Sequence, residues 1–141
     1  MRKGSSLLLI CLIMMVSFVC MVPAAEAAEQ KVEWITTDLY YEVNEDGTPE
    51  DILIIKGFFV NNTDKYINYF YELNLKATIT NDVGYTDTIK CTFWDFEKMI
   101  EPYSSSSNHT FRVRNVEIIW PVESYDVKRG YIRWKQSSAA G

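Results

Sequence analysis

Beyond position 28 the sequence holds one cysteine, Cys91, and one histidine, His109. A single thiol cannot close an internal disulfide, so the fold has to rest on its apolar core alone. A lone histidine with no second histidine or cysteine nearby cannot complete a transition-metal ligand set. It lies in a polar link after the serines at 104–107, and such a run reads as spacer, with His109 a solvated loop residue. No Gly-rich phosphate loop, CxxC or HExxH pattern occurs. The acidic turn at 44–51 has oxygen ligands to offer calcium, but lacks the alternating spacing and closing Glu of an EF-hand loop. These absences argue against an enzyme, and no cofactor or metal is expected. There is also no internal repeat and no amphipathic helical stretch.

The one long apolar run is at the start. Arg2 and Lys3 precede apolar residues 7–22, then Pro23 and the small cluster Ala24-Ala25-Glu26-Ala27-Ala28. A basic start, apolar middle and Ala-x-Ala end describe a secretory signal peptide over residues 1–28, cut after Ala27 or Ala28. The apolar run approaches the ~18 residues of a membrane span, so retention as an anchor stays open. On cleavage, Cys11 and Cys20 leave and no stable membrane insertion is expected, which places the mature chain outside the cytoplasm. Of 14 basic and 19 acidic residues, Arg2, Lys3 and Glu26 belong to this segment, leaving 12 and 18 and a net charge of −6. An acidic domain has no electrostatic reason to seek nucleic acid or anionic lipid.

The remainder is organised around residues 52–79. From Tyr69 the odd positions Tyr69, Tyr71, Leu73, Leu75, Ala77 and Ile79 are apolar or aromatic, and Glu72, Asn74, Lys76 and Thr78 are polar. Side chains alternate across a strand, so this period of two puts one face on a core. Phe70 alone breaks it and marks a bulge or a second contact surface. The run 52–60 is apolar on both parities, as in a strand covered on both faces, and Gly57 within it suggests a bulge or a close backbone approach. Asn61-Asn62-Thr63-Asp64 supplies turn chemistry, and the expectation is a hairpin. Residues 32–43 form a strand, broken near Thr37-Asp38, ahead of the turn at 44–51. Asn81-Asp82-Val83-Gly84 makes a second hairpin turn before 86–93, where Ile89, Cys91 and Phe93 share the inner face. Residues 94–100 are ambiguous between strand and helical turn, and 104–107 are a flexible link. Residues 110–120 resume as strand up to Pro121, and 131–135 make a last short one. The pattern predicts an all-β chain: a single antiparallel β-sandwich of about seven strands over 29–136, with a flexible tail at 137–141.

The punctuation Gly57-Phe58-Phe59-Val60-Asn61-Asn62, the alternating 73–79, Asp82-Val83-Gly84, Ile100-Glu101-Pro102 and Phe111 resembles FxLYD-type and SLAP-type modules of bacterial envelope proteins. The resemblance covers roughly residues 52–113; it departs at Tyr103, where the FxLYD pattern has glycine. It implies an immunoglobulin-like accessory or adhesion module outside the membrane, with no catalytic residues.

Aromatic residues are in excess: past position 28 stand Trp34, Trp94, Trp120, Trp134, nine tyrosines and six phenylalanines. Exposed Tyr and Trp offer rigid area with a polar tip, and so serve as binding anchors. Tyr66, Trp94 and Tyr40 fall where the pattern predicts exposure or a rim, and Asn62 in the turn adds hydrogen-bonding capacity. These four are the candidate binding residues. The expected function is an exported, non-enzymatic interaction module of the bacterial cell envelope. Its partner is a cell-envelope protein, or alternatively a surface glycan held by the exposed aromatics, and not nucleic acid.

Overall fold

The computed structural model describes residues 31–138; the segment 1–28 read from sequence as a signal peptide, with Cys11 and Cys20, and positions 139–141 of the expected tail lie outside them. Seven strands follow in order: β1 (Val32–Val43), β2 (Pro49–Asn61), β3 (Tyr66–Asn81), β4 (Thr86–Ile100), β5 (Ser104–Ser105), β6 (His109–Arg114) and β7 (Val122–Ser137). They form two antiparallel sheets packed as a sandwich, and no helix occurs among the described residues. In one sheet β1 lies beside β2, and β5 and β6 share the other edge of β2 end to end. In the other, β3 runs between β4 and β7.

Strand β2 is apolar on both parities because both its faces are covered. Leu53, Ile55 and Phe59 are fully buried in the core. Ile54, on the opposite face, is buried as well, in register between Tyr40 and Arg112. Stacked rings join the layers: Phe59 of β2 lies on Phe70 of β3 with centroids 4.6 Å apart, and Phe93 of β4 on Phe111 of β6 at 4.0 Å. Each such pair adds about 0.5–1.5 kcal/mol beyond the area it buries. The irregularity expected near Thr37 is a register shift between Thr36 and Asp38 within one continuous strand.

The hairpin expected over 52–79 is overturned. β2 and β3 belong to different sheets, so the polar segment between them is an arch that carries the chain across the sandwich. Asn61 builds it. Its side chain is fully buried, and Nδ2 donates to the carbonyls of Lys65 (2.8 Å), Glu101 (3.0 Å) and Ile100 (3.3 Å). Its Oδ1 accepts from the amide of Thr63 (3.0 Å) and from Thr63 Oγ1 (2.7 Å). One amide thus replaces the ladder bonds that a tight hairpin would have made.

Three further expectations change. The serine link is part of a sheet: Ser104 and Ser105 pair with Asn61 and Val60, and Ser106 exchanges hydrogen bonds with Phe59, its amide donating to Phe59 O and its Oγ accepting from Phe59 N. The strand expected over 110–120 stops at Arg114, and Asn115 turns the chain with φ 58°. Beyond it, Ile119 is buried, and its amide donates to Tyr41 Oη, which itself donates to the Glu117 carbonyl. The last strand is not the short 131–135 but sixteen residues long, and Ser137, expected in the tail, pairs with Tyr66. An edge strand with one wet face needs few apolar residues, so β7 carries little of the pattern that marks a strand.

Candidate binding face of the three-stranded sheet

Bulges decide what the β4–β3–β7 sheet shows to water. The core positions of β3 are Ile67, Phe70, Leu73, Leu75, Ala77 and Ile79, so parity slips twice before settling into alternation. Against β7, β3 carries one extra residue at Asn68 and another at Tyr71, and against β4 the extra residue falls at Lys98–Met99. Bulges re-aim side chains in this way. Phe70, the residue out of pattern, points inward, and Tyr69 and Tyr71, expected on the core face, turn to the outer one. On β4 the matching slip between the core-packed Phe93 and Phe96 places Asp95 at φ 49° and leaves Trp94 60% exposed. The segment read as ambiguous is therefore strand throughout.

The bulges frame a shallow groove of about 710 Å³ lined by Asn68, Tyr69, Tyr71, Glu97, Met99 and Lys135, with Lys98 at its edge. Tyr69 and Tyr71 lie with ring centroids 5.2 Å apart, and the guanidinium of Arg133 sits 4.9 Å from the Tyr71 ring. Tyr69 Oη donates to Asp95 Oδ1 at 3.2 Å; desolvation and that carboxylate raise its pKa, so the phenol stays a donor. Asn68 Oδ1 is buried with no hydrogen-bond partner. An unpaired buried acceptor costs stability, and with almost no surface of its own this oxygen is closed to a ligand in this conformation.

Further along the same face, pairing sets whole rows. Thr86 and Thr80 share a hydroxyl hydrogen bond of 2.7 Å, and Thr88 and Thr78 one of 3.0 Å. Lys90, Lys76 and Lys128 then stand directly opposite one another across the three strands. Beside that row a second cleft of about 420 Å³ opens at Asn74, Thr92 and Gly130.

The four candidate residues are not brought together. Trp94 lies on this face, in register with Glu72. Tyr66 begins β3, half-buried opposite Ser137. Tyr40 is in the other sheet, beside Ile54 and under Lys56 Nζ at 5.3 Å from its ring, and so lies apart from the groove. Asn62 is exposed in the arch, its amide donating to Lys31 O at 2.7 Å. Tyr69, Tyr71 and Asn68 were missed, and the misfit of Phe70 was the signal that could have found them.

Other chemistry finds little footing. Among the described residues no group of three or more His, Cys, Asp or Glu side chains gathers as a metal site. In the 44–51 turn, Asp46 Oδ1 accepts from Thr48 N and Thr48 Oγ1. Cys91 is buried as expected, and desolvation pushes its thiol up to about 11.

His109 is not a solvated loop residue. It opens β6 half-buried, its ring 4.5 Å from Phe111 and 5.3 Å from Phe96. Burial, and secondarily the charge of Lys98, lower its pKa below 6.5. The unfolded chain therefore takes up a proton first, and the stability that neutral His109 gives above pH 6.5 is lost as pH falls through its lower folded value. The melting temperature of the wild type should drop between pH 7 and 5 more than that of His109→Gln. Parallel curves for the two proteins would refute this.

No protein family, curated protein or solved structure matches the chain.

Proposed function

We propose that the chain is a non-enzymatic binding module of the bacterial cell envelope, and that it holds a glycan on the outer face of the β4–β3–β7 sheet. The groove carries the reading: paired tyrosines and an arginine-stacked ring on a broad polar sheet, with Trp94 exposed on the same face. Rings supply stacking area for sugar faces. From sequence a protein partner ranks ahead of a glycan. We place the glycan first on the lysine row alone: the centres of protein interfaces are depleted in lysine and this face has three in a row, while its tyrosines and arginine suit either partner. Export rests on the basic, apolar, Ala-x-Ala order of residues 1–28 and on the resemblance to envelope modules.

Purified protein incubated with bacterial envelopes should bind as well after protease stripping as before. Tyr71→Ala and Trp94→Ala, with melting temperatures near the wild type, should each weaken that binding tenfold or more. Binding abolished by protease, or indifferent to both substitutions, would overturn the reading.

A further inference from the structure

We infer that the ligand of this face is an acidic polysaccharide, its anionic groups lying along the row Lys90–Lys76–Lys128. The inference rests on the glycan reading above and adds the charge of the ligand. In direct cross-strand register, like charges on one sheet face are destabilising, and neighbouring strands are only about 4.8 Å apart, so the row roots three lysine side chains within roughly 10 Å of one another. Natural sheets offset such contacts with carboxylates. Here, among the described residues, only Lys128 has one in reach, Asp126 at 4.0 Å with both side chains mostly exposed. The next acid along β3, Glu72, is four residues away, roughly 13 Å. On the other sheet, by contrast, Arg112 is gripped by both oxygens of Glu42, at 2.8 and 2.7 Å. A local rule broken with no structural gain points to a functional reason.

Net charge conceals this. The chain past position 28 is acidic, yet strands β3, β4 and β7 hold seven of its twelve basic residues against six of its eighteen acidic ones, so the excess of acid lies outside this sheet. The field a ligand meets is that of the face it approaches. The cleft beside the row fixes the class of anion. Gly130 has no side chain opposite Asn74, where a Cβ would come 3.4 Å from Asn74 Cβ, and the opening is lined by Asn74, Thr92 and the three lysines. Asn74 Oδ1 is buried with no partner, like Asn68 Oδ1 in the neighbouring groove. A ligand suited to both features brings anions for the lysines and hydroxyls for the polar lining of the cleft, Asn74 and Thr92. An acidic polysaccharide has both; the phosphate rails of a nucleic-acid duplex offer acceptors only.

The test measures binding of the full protein to polygalacturonate, to neutral dextran and glucan, and to duplex DNA, across a salt series. The expected result is polygalacturonate binding that weakens with salt and falls at least tenfold in Lys76→Gln/Lys90→Gln. That variant should melt at or above the wild-type temperature, since like-charge repulsion is relieved. Neutral glycans bound as tightly as polygalacturonate, by wild type and variant alike, would overturn the lysine assignment and leave the glycan face standing. Failure of every glycan would overturn both. DNA bound as tightly as polygalacturonate, with the same dependence on Lys76 and Lys90, would overturn the choice of a polysaccharide.

Discussion

Asn61→Asp should lower the thermal midpoint by about 15 °C at pH 7, a loss of about 4 kcal/mol. The substitution keeps the shape and the Oδ1 that accepts from Thr63 N and Oγ1, but exchanges the donor Nδ2 for a second oxygen. That oxygen would face the carbonyls of Lys65, Glu101 and Ile100 with nothing to donate, at a side chain with no solvent exposure. Acceptor meets acceptor three times, and an ionised carboxylate has no compensating cation there. The pH dependence follows. Burial raises the folded pKa of the new carboxyl above its unfolded value near 4, so the protonated form, which can donate once, is favoured in the fold. Stability present at low pH is then lost as pH rises through that raised value. The gap to wild type should widen from pH 4 to 7 in thermal or urea melts. A midpoint within about 2 °C of wild type at pH 7 would show that the arch does not depend on this amide.

The same residue shows where sequence reading stopped. The alternation of 73–79, the inner trio Ile89, Cys91 and Phe93, and the turns at Asp46-Gly47 and Asn81–Gly84 were all legible, because each is a property of a strand or turn alone. Whether Asn61-Asn62-Thr63-Asp64 returns a chain beside itself or throws it across a sandwich is not such a property. Asparagine serves both, and only its reach to carbonyls 39 and 40 positions away decides. His109 was misread for a related reason: its sequence neighbours are polar, whereas its spatial neighbours are phenylalanines brought by β2 and β4. The candidate face was half legible. Trp94 was read as exposed, but two parity slips sent Tyr69 and Tyr71 to the opposite face from the one their alternation implied. The Lys76–Lys90 pair follows from the hairpin turn that joins β3 and β4. Lys128 joins them only through β7, whose pairing no local pattern announces.

Gly57→Ala should remove about 3 kcal/mol or more of stability, although it adds one methyl group and leaves every hydrogen-bonding atom in place. Gly57 pairs with Thr36 of β1 on one side and His109 of β6 on the other, in the middle strand of its sheet. A Cβ built there overlaps the carbonyl oxygen of Ile35 and stands 2.7 Å from Trp34 Cζ2. Neither obstacle yields easily. The carbonyl belongs to a paired strand. Trp34 is 7% exposed, wedged with ring centroids 4.8 Å from Phe59 and 5.1 Å from Phe111, its Nε1 donating to Thr36 Oγ1 at 2.7 Å. Because the main-chain oxygen is the nearer of the two, Trp34→Phe should not rescue Gly57→Ala, and a double-mutant cycle in urea should return a coupling well below the single-mutant penalty. The strain has one outlet, the separation of β1 from β2 around Thr36, since β1 is an edge strand with no partner on its far side among the described residues. Amide exchange over 32–36 should therefore accelerate ahead of the rest of the sheet. A variant that melts with the wild type would show that neither contact is costly, and a full rescue by Trp34→Phe would place the close approach at the indole and not at the β1 backbone.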